Sequence, residues 1–576
     1  MKIRERQLPQ TPRAFSADLH PLLQKIYATR GIFSDQQLGR QLAELPAPQA
    51  LKGVDGALDL LETALVQQQK VLIVGDFDAD GATSTALMIL ALRAMGLQRV
   101  DFLVPNRFEF GYGLTPEIVA LAQQNCPDLL ITVDNGISSV EGVAAARELG
   151  IKVLVTDHHL PGATLPAADA IVNPSQPGCT FPSKNLAGVG VAFYLLSAFR
   201  ARLRQQDWFQ ASGIREPNMA AWLDLVALGT VADVVPLDQV NRVLVYQGLQ
   251  RVRAGFCRPG IQALLELAGR EQSRIVAADF GFAVGPRLNA AGRLDDMSLG
   301  IDCLLSDDPV NARELAVQLD ELNADRRLIE TGMQQEALKA VEKLHLEDRD
   351  NLPWGLCLYD PDWHQGVVGL LASRIKERYH RPVIAFAEGD NGQLKGSARS
   401  IPGLHIRDAL DGVAAANPGL LSKFGGHAMA AGLSLERNNL ERFGDAFDRE
   451  IRRQLCAEDL VEEVATDGTL AAAELNLGVA HLLRDAGPWG QHFPEPLFKG
   501  AFRVVQQRVL SGKHLKFTLG AEDDQSLMVD AIAFNVPEAF LKPSSARVEI
   551  LYRLDVNLWR GRESLQLLIE RILSLQ

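Results

Sequence analysis

The stretch Val71-Leu-Ile-Val-Gly-Asp76-Phe-Asp78-Ala-Asp80-Gly81 sets a short apolar run directly before three carboxylates at alternate positions. Val71–Val74 has the unbroken apolar character of a strand buried on both faces. A helical pattern follows over Ala82–Met95 and stops at Gly96. Two further runs end in the same manner: Leu129–Val133 passes into Asp134-Asn135-Gly136, and Val153–Thr156 into Asp157-His158-His159. Asp101–Val104 reads as a short strand, Val140–Leu149 as a helix that stops at Gly150, and Ala170–Val172 as one more strand. Strands and helices alternating at this spacing predict an α/β domain on a doubly wound parallel sheet. Such sheets bind ligands at the carboxyl ends of their strands, which is where these acids and imidazoles lie.

A single Asp after a strand is ordinarily a turn or helix N-cap residue. Three strand ends carrying acids and histidines are a different matter, because converging anions are costly unless cations neutralise them. Asp76-x-Asp78-x-Asp80-Gly81 also has the look of a calcium-binding EF-hand loop. That loop needs an acid at its twelfth position, here Leu87, and follows a helix instead of a strand. Oxygen-rich ligands with one or two imidazoles suit Mn²⁺ or Mg²⁺. Two such ions about 3.5–4 Å apart activate a water and steady the leaving oxygen of a phosphodiester. The expected chemistry is metal-assisted phosphoryl hydrolysis.

The rest of the chain is that of an ordinary multidomain protein. Its 576 residues predict three or four domains, and 47% hydrophobic with 22% charged residues is a globular composition. Cys126, Cys179, Cys257, Cys303, Cys357 and Cys456 include no CxxC pair, which argues against a zinc knuckle or a disulfide framework. No apolar run reaches the length of a membrane span, and Met1–Gln10 is basic and polar, so a cytoplasmic location is expected. The net charge of −13 argues against indiscriminate coating of DNA, although a locally basic channel can coexist with an acidic shell.

Five segments are expected. Residues 1–50 form an N-terminal helical segment, with residues 14–70 as a whole reading as helical, and 51–308 the catalytic domain, mainly helical from 186 to 305. Residues 309–352 are a connector, because Asn311 to His345 carries few breakers and predicts one helix of roughly 50 Å; the alternative is two helices broken at Gly332. Residues 353–455 are a second α/β domain, with Leu356–Tyr359 and Val383–Phe386 as strands and Val367–Arg378 as a helix. Residues 456–576 carry strand patterns at Phe502–Val509, Leu515–Leu519, Met528–Phe534, Arg547–Leu554 and Ser564–Glu570, which fit a small OB-like barrel. Phe502, Phe517 and Trp559 among Arg503, Arg508, Lys513, Lys516 and Arg560 would suit stacking on unpaired bases, though core aromatics of a barrel look the same.

Asp157-His158-His159 is the name-giving motif of the DHH phosphoesterase family, and Gly75–Ser84 resembles that family's first motif. Val133-Asp134-Asn135-Gly136 and Gly229-Thr-Val-Ala-Asp233-Val-Val-Pro236 are similar to its second and fourth. Pro105-Asn-Arg107-Phe-Glu-Phe-Gly-Tyr-Gly113 and Gly285-Pro-Arg287-Leu-Asn-Ala-Ala-Gly-Arg293 resemble motifs of the branch that degrades single-stranded DNA. Lys395-Gly-Ser397-Ala-Arg399-Ser400, Phe424-Gly425-Gly426-His427 and Trp363-His364-Gln365-Gly366 resemble the associated DHHA1 domain, with His364 expected to be a structural contact. The resemblance implies metal ligands Asp78, Asp80, Asp134, His158 and Asp233, with Asp134 bridging two divalent cations, Mn²⁺ or Mg²⁺. It implies orienting roles for Asp76 and Asp157, and places His159 beside the scissile phosphate as a donor of a hydrogen bond or proton. Ser397, Arg399 and Arg107 would contact a terminal 5′ phosphate, Arg287 and Arg293 would line the strand's path, and Gly425, Gly426 and His427 would bind substrate. The implied activity is a 5′-to-3′ exonuclease specific for single-stranded DNA that releases 5′-mononucleotides and acts in DNA repair and recombination. Single-strand-binding protein and a RecQ-type helicase are the implied partners of a monomer with no membrane association. A small-nucleotide phosphodiesterase would not need the long helix and barrel, and an inactive binding protein of this fold would have lost ligands.

Overall fold

The computed structural model describes residues 2–105, 113–343, 352–389, 392–426, 428–522, 524, 526–541 and 546–575. The chain divides into two compact units: Glu5–Asp320 with Ala465–Gln576, and Met1–Arg4 with Glu321–Val464.

In the larger unit the apolar runs form a five-stranded sheet in the order Val100–Leu103, Val71–Gly75, Leu129–Val133, Lys152–Thr156, Ala170–Val172, parallel throughout. Every residue of Val71–Gly75 and Leu129–Val133 is buried, as both-face coverage requires. One face packs on the Pro116–Gln123 and Val140–Glu148 helices through Leu72, Val74, Leu130, Val153 and Val155. The helix after the first strand is apolar nearly all round, and the Gly188–Gln205 and Leu223–Ala232 helices bury it. It starts at Ala79, three residues before the sequence pattern suggests, because Asp78 caps it by accepting from Asp80 N at 2.9 Å and Gly81 N at 3.0 Å. Residues 14–70 are less helical than expected. Pro21–Ala28 and Val54–Gln67 are α-helices, and the stretch between them, broken by Pro46 and Pro48, folds into single 3₁₀ turns at Asp35–Leu38, Leu42–Glu44 and Pro48–Ala50.

The same unit holds a closed barrel of Phe498–Leu510, His514–Ala521, Met528–Ala533, Arg547–Trp559 and Arg562–Leu575. Phe502 and Phe517 fill its core, whereas Trp559 is exposed beside the hairpin turn Arg560-Gly561, both of positive φ. That two-residue turn lets the last two strands run longer than the alternation alone indicates.

The helix Pro309–Lys343 is continuous through Gly332, and the division between the units falls at Asp320 within it. The smaller unit is a mixed sheet in the order Lys423–Gly426, Ala430–Glu436, Gln393–Arg399, Val383–Glu388, Leu356–Tyr359. Only the last two strands pair in parallel. The Ile406–Ala416 and Leu440–Gln454 helices close its core through Ile406, Leu410, Phe443 and Phe447. Among the described residues no helix is long and apolar enough to cross a membrane.

Candidate metal centre

Parallel register delivers the acids to one edge. Gly75 stands beside Val133, Val133 beside Thr156, and Thr156 beside Val172, so the next residues, Asp76, Asp134 and Asp157, leave the sheet at one level. Asp134 takes φ 62°, a left-handed conformation that Asp tolerates better than most residues. Its N–H donates to Thr156 O at 3.1 Å, while the Asn135 amide donates to Val74 O at 3.1 Å and Val133 O at 2.9 Å. The turn is thereby pinned to both neighbouring strands.

Asp80, in the first turn of its helix, accepts from Gly188 N at 2.6 Å and Val189 N at 3.0 Å, the open N-terminus of the next helix. Asp233 ends the Leu223–Ala232 helix. Two glycines make this closeness possible. A Cβ at Gly188 would lie 2.7 Å from Asp134 Cβ, and one at Gly229 would lie 2.2 Å from Thr83 Oγ1 and 2.9 Å from Asp80 Oδ1. The loop bearing Asp76 and Asp78 is held by Asn289, whose Oδ1 accepts from Ala79 N at 2.7 Å.

Among the described residues, three sets of side chains offer ligand atoms within 4.8 Å of one another: Asp76, Asp78 and Asp134; Asp80, His158 and Asp233; Asp134, His158 and His159. Asp134 belongs to the first and third sets and His158 to the second and third, so the sets form one continuous cluster. All five residues named as ligands from the sequence fall in it. Asp76, read there as an orienting residue, stands among the ligand atoms themselves.

Asp157 lies behind the cluster. Its Oδ1 takes the backbone N–H of His158 at 2.7 Å and of His159 at 3.1 Å and meets His159 Nδ1 at 2.8 Å, and its Oδ2 takes Ile137 N at 2.9 Å. Burial pushes the Asp157 carboxyl up, but the His159 bond and charge outweigh it and hold it below its ordinary value. Burial disfavours the His159 cation, yet the bond to Asp157 and that residue's charge raise it to about 9. His158 is shifted the other way, lowered by burial and by His159, which keeps it neutral and its Nε2 able to coordinate. Burial and then the Asp233 charge raise Asp80 to about 7, and burial and then Asp78 raise Asp233 to about 7. Burial and the neighbouring carboxylates of Asp80, Asp78 and Asp76 push Asp134 well above the carboxylate range.

These shifts describe acids crowded closely enough that bound protons or bound cations must relieve them. Among the described residues His158 Nε2 and Asp233 Oδ2 are buried without a hydrogen bond and lie 3.5 Å apart, with Asp134 Oδ1 3.1 Å from the same Nε2, an arrangement suited to a shared ion. The donor set, carboxylates with imidazole and no thiolate, fits Mn²⁺ or Mg²⁺.

The residues assigned to substrate are placed unevenly. Arg287 is buried, its Nε on Asp320 at 2.8 Å and its Nη1 on Ala283 O at 2.7 Å. Arg293 sits partly buried in the last turn of the Gly285–Leu294 helix. Arg107 and His427 lie outside the described residues. In the smaller unit, Ser397, Gly432 and Gly425 stand side by side across three strands, and a Cβ at either glycine would meet nothing within 4 Å. Gly426 has φ 144°, and a Cβ there would lie 2.5 Å from Ala430 O. A Cβ at Gly369, in the first turn of the Val368–Tyr379 helix, would lie 2.8 Å from Arg399 Nη2 and 3.2 Å from Ser397 Oγ. Arg399, Ser397 and a helix N-terminus thus meet over bare backbone, a setting for phosphate. Gly432 and Asn289 had no place in the sequence reading; the small-residue run Ala430-Ala431-Gly432 and the Asn inside the Arg287–Arg293 motif were the available signals.

Comparison with known proteins agrees with this architecture. Residues 70–230 match the N-terminal domain of the DHH family, 354–453 the DHHA1 domain and 466–571 the RecJ OB domain. The single-stranded-DNA-specific exonuclease RecJ of Escherichia coli is 55% identical over 573 residues, 99% of each chain. The crystal structure of RecJ in complex with Mn²⁺ from Thermus thermophilus superposes with TM-score 0.78 at 31% identity, covering all of this chain and 80% of that one. The Mg²⁺ complex of the same protein gives TM-score 0.74 at 29% identity, covering all of this chain and 79% of that one. With its strand-end acids, DHHA1 sheet and barrel in the order those matches require, the chain belongs to the RecJ family of DHH phosphoesterases.

Proposed function

We propose that this chain hydrolyses single-stranded DNA from its 5′ end, releasing 5′-mononucleotides. The observation that carries the reading is the single cluster of Asp76, Asp78, Asp80, Asp134, His158 and Asp233 at the carboxyl edge of the sheet. Those residues would hold two divalent cations, Mn²⁺ or Mg²⁺, with Asp134 between them. When bound, such ions supply a water of lowered pKa and charge stabilisation for the phosphoryl oxygens. Asp157 fixes the His159 ring through Nδ1 and favours its cation, and in this reading the imidazolium donates a hydrogen bond or a proton at the scissile phosphate. Cations held there would relieve the crowding of these carboxylates.

Ser397, Arg399, Gly425 and Gly432 form the recognition surface for a terminal phosphate, which is what an enzyme working from an end requires. We assign catalysis to residues 51–308 and substrate binding to 353–455 and 456–576. A part in DNA repair and recombination accords with family membership, and we assign to the chain contact with single-strand-binding protein or a RecQ-type helicase, a monomeric state and a cytoplasmic location as parts of the same proposal.

The test follows 5′-phosphorylated, 3′-labelled single-stranded DNA with Mn²⁺, Mg²⁺ or EDTA, beside duplex and RNA controls. Stepwise loss from the 5′ end that needs metal and spares duplex is the expected outcome. Hydrolysis of short dinucleotides alone would move the reading to a small-nucleotide phosphodiesterase.

A further inference from the structure

The helix that ends in Asp233 continues into Val234 at φ 62°, a conformation that β-branched residues rarely adopt, and leaves that side chain 60% exposed. Against the same helix end lies the π-helical turn Phe280–Val284, a form often retained at functional sites. A Cβ at Gly281 would touch Val231 Cγ1 at 3.4 Å, and one at Gly285 would reach Ala232 Cβ at 3.2 Å, which fixes the turn on the last turn of that helix. Within it the two aromatics separate: Phe280 is fully buried and anchors the turn, while Phe282 is 80% exposed.

Val234 and Phe282 both line a cavity of about 480 Å³, whose wall also includes Val235, Leu249 and Trp489. Most of the charges on that wall are paired, Arg6 with the buried Asp467 at 3.1 Å. Arg553 pairs with Glu495 at 2.6 Å and Glu570 at 2.9 Å, and Arg484 with Asp485 at 3.1 Å, while Arg253 donates its Nε to Ile275 O at 2.8 Å. An occupant complementary to this wall is apolar and uncharged where it enters, with any charge kept outside. That describes a nucleobase whose sugar and phosphate remain at the rim.

We propose that Phe282 and Val234 form a stacking site for an unpaired base of the strand cleaved at the adjoining metal cluster. The inference rests on the proposed nuclease reading and extends it to how the strand is gripped. Backbone strain at Val234 then has a use, because the turn that follows Asp233 sets an apolar side chain on the cavity wall that Phe282 also lines. The exposed ring offers a π-face that any base can use, so the site would hold the strand without reading its sequence.

The test compares wild type, Phe282→Ala and Phe282→Trp on a long thymidine oligonucleotide and on bis(p-nitrophenyl) phosphate with Mn²⁺. Phe282→Ala should lower kcat/KM on the oligonucleotide by about tenfold or more, carried in KM. The loss on bis(p-nitrophenyl) phosphate should be much smaller, and Phe282→Trp should restore the oligonucleotide KM. An unchanged oligonucleotide KM in Phe282→Ala would overturn the proposal and leave the cavity to an apolar side chain of a protein partner. Equal losses on both substrates would also overturn it, by reducing Phe282 to a structural support. A wild-type protein that fails to degrade the oligonucleotide would sink the nuclease reading instead, before any variant is compared.

Discussion

Single residues at the strand ends were legible because strand, acid and glycine are adjacent in sequence. Their supports were not: Gly188 meets Asp80 across 108 residues and Asn289 meets Ala79 across 210. Those supports yield sharp expectations. Gly188→Ala would drive a methyl into Asp134, and a loss of Mn²⁺ binding by calorimetry with the circular dichroism spectrum retained is the expected result. Asp157→Asn removes the anion that orients His159, and should cost about 10–100-fold in activity, read as kcat on single-stranded DNA. In the smaller unit, Gly369→Ala crowds Arg399 and Ser397. It should erase the preference for 5′-phosphorylated over 5′-hydroxyl ends, measured as a ratio of kcat/KM, if those side chains hold the terminal phosphate.

At the scale of elements, periodicity served where one pattern dominated. The parallel sheet and the five barrel strands came from short apolar runs and from alternation, and both match the observed elements to within a few residues at most ends. It failed for the sheet of the smaller unit, where Gln393–Arg399, Lys423–Gly426 and Ala430–Glu436 contain Gly396, Gly425, Gly426 and Gly432. Glycine weakens the strand signal, yet bare backbone is what this surface exposes. The barrel aromatics show the opposite ambiguity. Phe502 and Phe517 had the composition of a stacking surface and are core, whereas Phe282 drew no attention in the sequence and stands in the open. A π turn has no sequence period to betray it. The N-terminal segment misled in a further way, because its first fifty residues read as separate. Arg30 pairs with Asp467 through two bonds of 2.7 and 3.1 Å, both side chains fully buried, and Tyr27 donates to Ala486 O at 2.8 Å. Removing one partner of a buried pair strands the other charge, so Asp467→Ala should destabilise the larger unit by about 3–5 kcal/mol in urea unfolding.

For the whole molecule, net charge and metal loading are linked. A protein of charge −13 concentrates several of its acids at one sheet edge, where two of them titrate near pH 7. Asp80 and Asp233 are raised above their unfolded values, so between about pH 4 and 7 the metal-free native state binds more protons than the unfolded chain. Their contribution to metal-free stability is therefore present at low pH and falls as pH rises through that window. Cation binding runs against those protons, because ligands must be deprotonated to coordinate. Affinity for Mn²⁺ should climb by about tenfold per pH unit for each proton displaced up to pH 7 and level off above it. Since a ligand that binds only the native state stabilises it in proportion to the logarithm of its affinity, the rise in Tm on adding Mn²⁺ should be larger at pH 8 than at pH 6. Calorimetric scans at the two pH values, with Mn²⁺ or EDTA, measure this directly. The metal-dependent shift belongs to the transition of Glu5–Asp320 with Ala465–Gln576, the unit that carries every residue of the cluster, and should leave that of Glu321–Val464 in place. A shift of equal size at both pH values would mean that Asp80 and Asp233 are already ionised at pH 6, and that the cation does not compete with protons for them.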